Sequence, residues 1–174
     1  SCFDKKQNQG EEGIDCGGPC YPCEAKNAKP LKIYPVEYVL YSNSIDIIGS
    51  LENPNTNLAI KDIKYYFEIY DANNFLKAKT DFKTISLNPS SKKYVLEFNY
   101  PKPEYTLGQI KLKVLEPQKE NFVKRFSEIF PINYFNEKII KDNNKFKLKL
   151  SLFNKTFLNQ NVEVIVLLYN TNGK

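Results

Sequence analysis

The stretch IKYYFEIYD (residues 63–71) decides the fold class of this chain. Its apolar side chains recur at every second position: Ile63, Tyr65, Phe67 and Ile69. Residues at this spacing point to one face of a β-strand, because an extended chain alternates its side chains between two faces. The segment DANN (71–74) contains the Asp and Asn residues that are typical of turns. We therefore predict a strand with one core face that ends in an Asp-capped turn.

Similar strand signals lie on both sides of this stretch. Alternation and aromatic content predict further strands near Ile33–Tyr41, Ile45–Glu52, Leu76–Leu87, Lys93–Phe98 and Gln109–Leu115. Turn segments separate them: NPNTN (53–57), NPSS (88–91) and PKPE (101–104). No segment has a convincing helical period. This pattern predicts an all-β chain in which residues 31–117 form an antiparallel, immunoglobulin-like (Ig-like) β-sandwich.

An internal repeat predicts a second module of the same kind. Three segments of the first module have counterparts in the same order: KIYPVEY (32–38) with EIFPINY (128–134), IDIIGSLEN (45–53) with FKLKLSLFN (146–154), and IKYYFEIYD with VEVIVLLYN (162–170). Their separation, about one hundred residues, is the length of one sandwich domain. Residues 122–174 are therefore predicted to be the first half of a second Ig-like repeat.

The predicted second repeat stops after its third strand, which would leave Val162–Leu168 with exposed apolar side chains. The chain is then either a fragment whose missing strands follow Lys174, or a subunit that a neighbouring copy completes by donating strands. A third alternative is that residues 123–170 extend the first sheet. In the predicted strand that precedes Val162–Leu168, four apolar residues alternate with polar ones and predict one core face: Phe146, Leu148, Leu150 and Leu152.

All four cysteines lie in the first 25 residues: Cys2, Cys16, Cys20 and Cys23. This segment has too few apolar residues to form a core, and small coreless modules usually depend on crosslinks. We therefore predict a disulfide-stapled segment over residues 1–25, with three pairings open. A zinc site is less consistent with the spacing, since only Cys20 and Cys23 form a CxxC pair. A polar linker, EAKNAKP (24–30), follows.

The same segment raises calcium as an alternative. Four oxygen-bearing side chains fall at the first, fifth, ninth and twelfth positions of a calcium-loop spacing: Asp4, Asn8, Glu12 and Asp15. Lys6 occupies the third position and Gln9 replaces the turn glycine, so the pattern is not that of an EF-hand. The competing interpretation is that these residues form turns. We predict no other cofactor.

Composition argues against several functions. The chain has no histidine, which removes the commonest general base, and no glycine-rich phosphate loop, so we predict that it is not an enzyme. The net charge of +5 comes from lysines with a single arginine, Arg125, and lysines spread along strands indicate solubility. Since nucleic-acid recognition relies on arginine, no nucleic-acid partner is predicted. No apolar run is long enough to span a membrane, so any membrane anchor would lie outside this chain.

Two parts of the sequence resemble known families. The pattern DxxQNQGExGIDCGGPCxPC (residues 4–23) resembles a cysteine motif of bacterial surface and secreted proteins, although Lys5 stands where that motif usually has glycine. The stretch FEIYD resembles the name-giving motif of the FxLYD family of bacterial Ig-like domains, matched by Phe67, Ile69, Tyr70 and Asp71. Both resemblances imply an extracytoplasmic, non-catalytic protein.

We therefore predict an extracellular or cell-surface module of a bacterial exoprotein that acts as a structural spacer or as an adhesion domain. Its partner would be a protein or a glycan at the cell surface. The alternative is a β-sandwich that binds a carbohydrate or another small ligand through exposed aromatic rings. Four tyrosines are candidates for stacking on sugar rings: Tyr66, Tyr100, Tyr105 and Tyr134.

Overall fold

The computed structural model describes residues 1–124, 132–142 and 145–154. The chain divides into two compact units, Ser1–Phe126 and Ser127–Lys174. The described residues form β-strands and two 3-10 turns, Cys23–Asn27 and Lys119–Asn121. Among them, no helix has the length and apolarity that a membrane span requires. The predicted all-β class is confirmed.

The first unit contains nine described strands. They are β1 (Lys32–Ile33), β2 (Glu37–Leu40), β3 (Ser44–Glu52), β4 (Ala59–Asp71), β5 (Leu76–Lys79), β6 (Lys83–Leu87), β7 (Lys92–Pro101), β8 (Leu107–Val114) and β9 (Phe122–Val123). All their pairings are antiparallel. Each strand expected within residues 31–117 is present, and two of these expected strands are interrupted, one between β1 and β2 and one between β5 and β6.

Each of the two sheets is organised around one long strand. In the first sheet β3 is central, with β7 along one edge and β1 and β2 in succession along the other. In the second sheet β4 is central, with β5 and β6 along one edge and β8 and β9 along the other. The quoted stretch 63–71 thus lies in the strand that pairs with four others.

The two sheets pack face to face as a sandwich. The four alternating residues of β4 are all buried, as predicted: Ile63, Tyr65, Phe67 and Ile69. Ile45, Ile47 and Leu51 of β3 complete the centre of the core. The sheets pack closely at Gly49, where an added Cβ would lie 3.1 Å from both Phe67 and Leu112 of the opposite sheet.

The strand connections are those of an Ig-like sandwich. The chain crosses from one sheet to the other between β3 and β4, between β6 and β7, and between β7 and β8. If β1 with β2 and β5 with β6 are each counted as one interrupted strand, the first, second and fifth strands (β1–β2, β3 and β7) share one sheet. The third, fourth and sixth strands (β4, β5–β6 and β8) share the other. After β8 the chain passes through the turn Lys119–Asn121 to β9, where Phe122 joins the core.

The NPNTN turn between β3 and β4 contains a buried hydrogen-bond network. Asn53 is fully buried, and its side-chain amide donates to the carbonyl oxygens of Leu58 and Asn88 at 2.7 and 3.0 Å. Its Oδ1 accepts the backbone N–H of Asn55 at 3.1 Å and the Nδ2 of Asn55 at 2.9 Å. Buried amides are stable only when such partners are present, so this turn has one well-defined conformation.

The described part of the second unit is a β-hairpin of β10 (Ile132–Asp142) and β11 (Lys145–Asn154). Strand β11 coincides with the predicted strand 146–152. Leu148 and Leu152, expected on a core face, are 40% and 45% exposed. The side chain of Phe146 and the predicted strand 162–170 lie outside what the structure describes, so the second sandwich repeat stays a prediction.

Candidate functional site

The cysteine segment is closed by two crossed disulfides. Cys2 pairs with Cys20, and Cys16 pairs with Cys23. None of the four thiols is free, which confirms the predicted staple and selects one of the three pairings. The carboxylate of Glu11 is buried inside the segment, where its Oε2 accepts the backbone N–H groups of Asn8 and Asp15 at 3.2 and 3.3 Å. Glu11 thus supports the loop that the disulfides close.

The calcium candidates do not converge on one point. Asp4 accepts the side-chain amide of Asn8 at 2.9 Å, whereas Asp15 accepts the backbone N–H of Lys5 at 2.9 Å. Glu12 pairs instead with Lys124, 3.1 Å away. The side-chain oxygen of Asn8 is buried without a partner, but within the described ranges the clustered metal-ligand type residues are Cys2, Glu11 and Cys20, and both cysteines are in a disulfide. The four side chains therefore do not form a calcium loop: Asp4 and Asp15 accept backbone N–H groups of the turns, Asn8 donates to Asp4, and Glu12 is in an ion pair.

The motif residues of β4 have structural roles. Phe67 and Ile69 lie in the core, and Asp71 ends the strand. Its Oδ1 accepts the backbone N–H groups of Asn73 and Phe75 at 3.0 and 2.9 Å, which makes the predicted Asp-capped turn. These hydrogen bonds, with that to Phe75 the largest contributor, lower the pKa of Asp71 below its usual value.

The opposite side of the second sheet carries the cluster with the clearest binding chemistry. From residue 64 to residue 70, alternation turns the even-numbered residues of β4 away from the core side, and the neighbouring strands present lysines beside them. We call this surface the lysine–tyrosine face. It consists of Lys64, Tyr66, Glu68 and Tyr70 on β4, Lys77 and Lys79 on β5, and Lys111 and Lys113 on β8.

Glu68 is the centre of this face. It lies directly opposite Lys79 of β5 and Lys111 of β8 in the two strand pairings, and only 6% of it is exposed. The hydroxyl group of Tyr70 donates to its Oε2 at 2.7 Å. The ammonium groups of Lys79 and Lys113 lie 3.4 and 3.7 Å from its two oxygens. The hydrogen bond from Tyr70 is the main reason that the pKa of Glu68 is lowered, and the same bond raises the pKa of Tyr70.

Each flanking lysine also contacts a tyrosine ring. The ammonium group of Lys79 lies 5.3 Å from the centre of the Tyr66 ring, and that of Lys111 lies 4.7 Å from Tyr70. Cations within about 6 Å of an aromatic face are attracted by its quadrupole. Glu68 and the two rings therefore hold the ammonium groups of Lys79, Lys111 and Lys113 in place.

The aromatic residues that the sequence singled out differ in their surroundings. Tyr66 lies on the lysine–tyrosine face, where its ring meets Phe82 edge to face at 4.9 Å. Tyr100 and Tyr105 are not the exposed rings that we expected, because both are half-buried and pack against the core. The side chain of Tyr134 lies outside what the structure describes.

Sequence reasoning missed the lysines as a group. Read along the chain they are spread over three strands, and their excess indicated solubility. A signal was present nonetheless, in LKAK (76–79) and QIKLKV (109–114), where lysine recurs at every second position. Knowing that both strands flank YFEIY requires the strand pairing, which only the structure supplies.

Comparisons with known proteins give little further information. No known protein family matches the sequence, and no curated protein matches it either. One solved structure similar to the chain is the crystal structure of a DUF1425 family member from a Shewanella species, with 17% sequence identity and a TM-score of 0.41. The match covers 51% of this chain and 79% of that one. At this level of similarity it supports no inference about function.

Proposed function

We propose that this chain is a non-catalytic interaction module of a bacterial protein that is exported to the cell surface or beyond. The observation that carries the proposal is the pair of disulfides, since every cysteine of the chain is oxidised. Structural disulfides persist in oxidising compartments and are rare in the cytosol. The resemblance of residues 4–23 to a cysteine motif of bacterial surface proteins points the same way.

The sandwich is well suited to such a role. The cysteine segment is held to the sandwich by the ion pair between Glu12 and Lys124 and by the linker, so that the first unit forms one compact body. Ig-like sandwiches commonly serve as surface modules that present a sheet face or their loops to a partner. On this sandwich the lysine–tyrosine face combines lysines with aromatic rings, and it is the proposed recognition surface.

The export part of the proposal is tested in intact producing cells. Thiols are blocked with a membrane-permeant maleimide before lysis, and the mass of the isolated protein is measured. We expect no modified cysteine, a mass about 4 Da below that of the reduced chain, and cleavage of the protein by protease added outside the cells. Four alkylated cysteines together with complete protection from external protease would contradict export.

A further inference from the structure

We propose that the lysine–tyrosine face binds a linear acidic polysaccharide, a chain of sugars that carries carboxylate or sulfate groups at regular intervals. This inference rests on the proposed function and names the ligand class of its recognition surface. Three features of the face support it: an excess of positive charge, a distribution of lysines over three neighbouring strands, and an exposed aromatic ring beside the lysines.

The charge on the face is unbalanced. Five lysines stand against two carboxylates, Glu68 at the centre and Asp71 at the edge. Both carboxylates are largely buried beneath the lysines, whereas the side chains of Lys77, Lys79 and Lys113 are 41–51% exposed. A ligand that approaches the face therefore meets ammonium groups first, and an anionic ligand is attracted.

The arrangement is that of an array and not of a pocket. Lys79 and Lys111 lie on either side of β4. Two strand spacings separate their Cα atoms, which is about 10 Å. Lys111 and Lys113 are two residues apart on one strand, which separates them by about 7 Å along it. Two cavities, of about 710 and 470 Å³, are lined by residues of other parts of the first unit. Cations distributed over three neighbouring strands match a long ligand with repeated anions better than a single small anion.

Phe82 adds a contact that charge alone does not explain. Its ring is 62% exposed and lies beside Tyr66 on the same face. An exposed aromatic ring has an electron-rich surface, which attracts the polarised C–H groups of a sugar ring. Anionic groups on the lysines and a sugar face on Phe82 together describe an acidic polysaccharide.

Glu68 limits the positive charge of the face in this scheme. Its ion pairs with Lys79 and Lys113 partly neutralise both lysines. Replacing Glu68 by glutamine keeps a hydrogen-bond acceptor for Tyr70 and removes one negative charge. The Glu68→Gln variant should therefore bind the polysaccharide more tightly, by about threefold for the loss of one weakly screened charge.

The direct test measures binding of the oxidised, full-length chain to three probes: polygalacturonate, heparin and the neutral polysaccharide dextran. We expect both acidic probes to bind, dextran not to bind, and the affinity to fall as salt is added. The triple variant Lys79→Gln, Lys111→Gln, Lys113→Gln should weaken binding by roughly tenfold or more. The matched control Lys6→Gln, Lys93→Gln, Lys102→Gln removes the same charge from exposed sites outside the face and should bind nearly as the parent chain does.

Two further arms separate the proposal from its rivals. Phe82→Ala leaves the charge unchanged and should weaken polysaccharide binding several-fold if the ring contacts sugar. Single-stranded DNA serves as the nucleic-acid probe; stronger, face-dependent binding to DNA than to either polysaccharide would overturn the proposal. Equal losses in the two triple variants, both folded by circular dichroism, would also overturn it. Since none of these measurements depends on export, they can fail while the proposed function stands.

Discussion

The side-chain amide of Asn55 exchanges two hydrogen bonds with the backbone of Lys29. Lys29 donates its N–H to Oδ1 at 2.7 Å, and Nδ2 donates to the Lys29 carbonyl oxygen at 3.0 Å. The segment 24–30, which we expected to be a free polar linker, is thereby fixed to the turn between β3 and β4. Ala25 within it is buried against the core. Asn55 can fix the linker because its own position is fixed: its backbone N–H and its Nδ2 both donate to Oδ1 of the buried Asn53.

Replacing Asn55 with alanine should therefore loosen the linker. The variant leaves the N–H and carbonyl groups of Lys29 without partners, and such losses lower the free energy of unfolding by about 1–3 kcal/mol. Urea unfolding measures the change, and protease cleavage within residues 24–30 should become faster. Asn57→Ala is the matched control, because Asn57 is exposed in the same turn. Equal destabilisation by the two variants would contradict the role assigned to Asn55.

Gly49→Ala should destabilise the sandwich by overpacking. The added Cβ would lie 3.1 Å from Leu112 and Phe67 and 3.2 Å from Val95, so at least one neighbour must move. Overpacking of a filled core costs about 1–3 kcal/mol, measurable by thermal unfolding. The double variant Gly49→Ala, Phe67→Leu provides the control. If the contact with Phe67 causes the loss, the double variant loses less stability than the two single losses added together.

The two disulfides should contribute unequally to stability. Cys2 and Cys20 are 18 residues apart, whereas Cys16 and Cys23 are 7 apart. Loop-closure entropy assigns about 3 kcal/mol to the longer loop and about 2 kcal/mol to the shorter one. Replacing each pair with serines and measuring urea unfolding tests the order. Tandem mass spectrometry of the unreduced tryptic digest tests the pairing; fragments that join Cys2 to Cys16 or Cys23 would refute it.

The clusters around Glu68 and Glu52 predict the pH range of greatest stability. Tyr70 donates to Glu68 and Tyr34 donates to Glu52, and each bond lowers the pKa of the carboxyl group and raises that of the phenol. These carboxyl groups have a higher pKa in the unfolded chain, which therefore binds protons more readily than the folded chain does. The free energy of unfolding thus falls as the pH drops below about 4.5, the ordinary pKa of glutamate. The phenols lose their protons more readily when unfolded, so stability also falls above pH 10.0.

Tyr70→Phe isolates one of these clusters. Without the hydroxyl group the pKa of Glu68 should rise toward its usual value, so that the variant loses less stability on acidification than the parent chain does. Unfolding free energies measured from pH 3 to pH 11 give both the acid limb, where stability falls at low pH, and the alkaline limb, where it falls at high pH. Tyr94→Phe removes a hydroxyl from an exposed ring on the other sheet and should leave the profile unchanged. An unchanged acid limb in Tyr70→Phe would show that Glu68 does not depend on Tyr70.

Much of the fold could be predicted because local pattern and packing agree. Alternation in β4 specified which residues face the core, since a one-residue slip would turn the apolar set outward. The same argument failed for Tyr100 and Tyr105, where tyrosine is compatible with either a core or a surface position. It also failed for the calcium loop, since Asp and Asn serve turns and metals with the same side chains, and only the backbone path decides which.

The sequence by itself determined the class of the fold, the order of its strands, the core face of β4 and the fact that the cysteines pair. Those properties follow from short-range periodicity and from the shortage of apolar residues in the first 25 positions. Only the tertiary structure decided which cysteine joins which, that the linker is fixed by Asn55, and that lysines from β5 and β8 meet around Glu68. These depend on contacts between residues far apart in the chain, and such contacts are set by strand pairing, which local sequence does not encode.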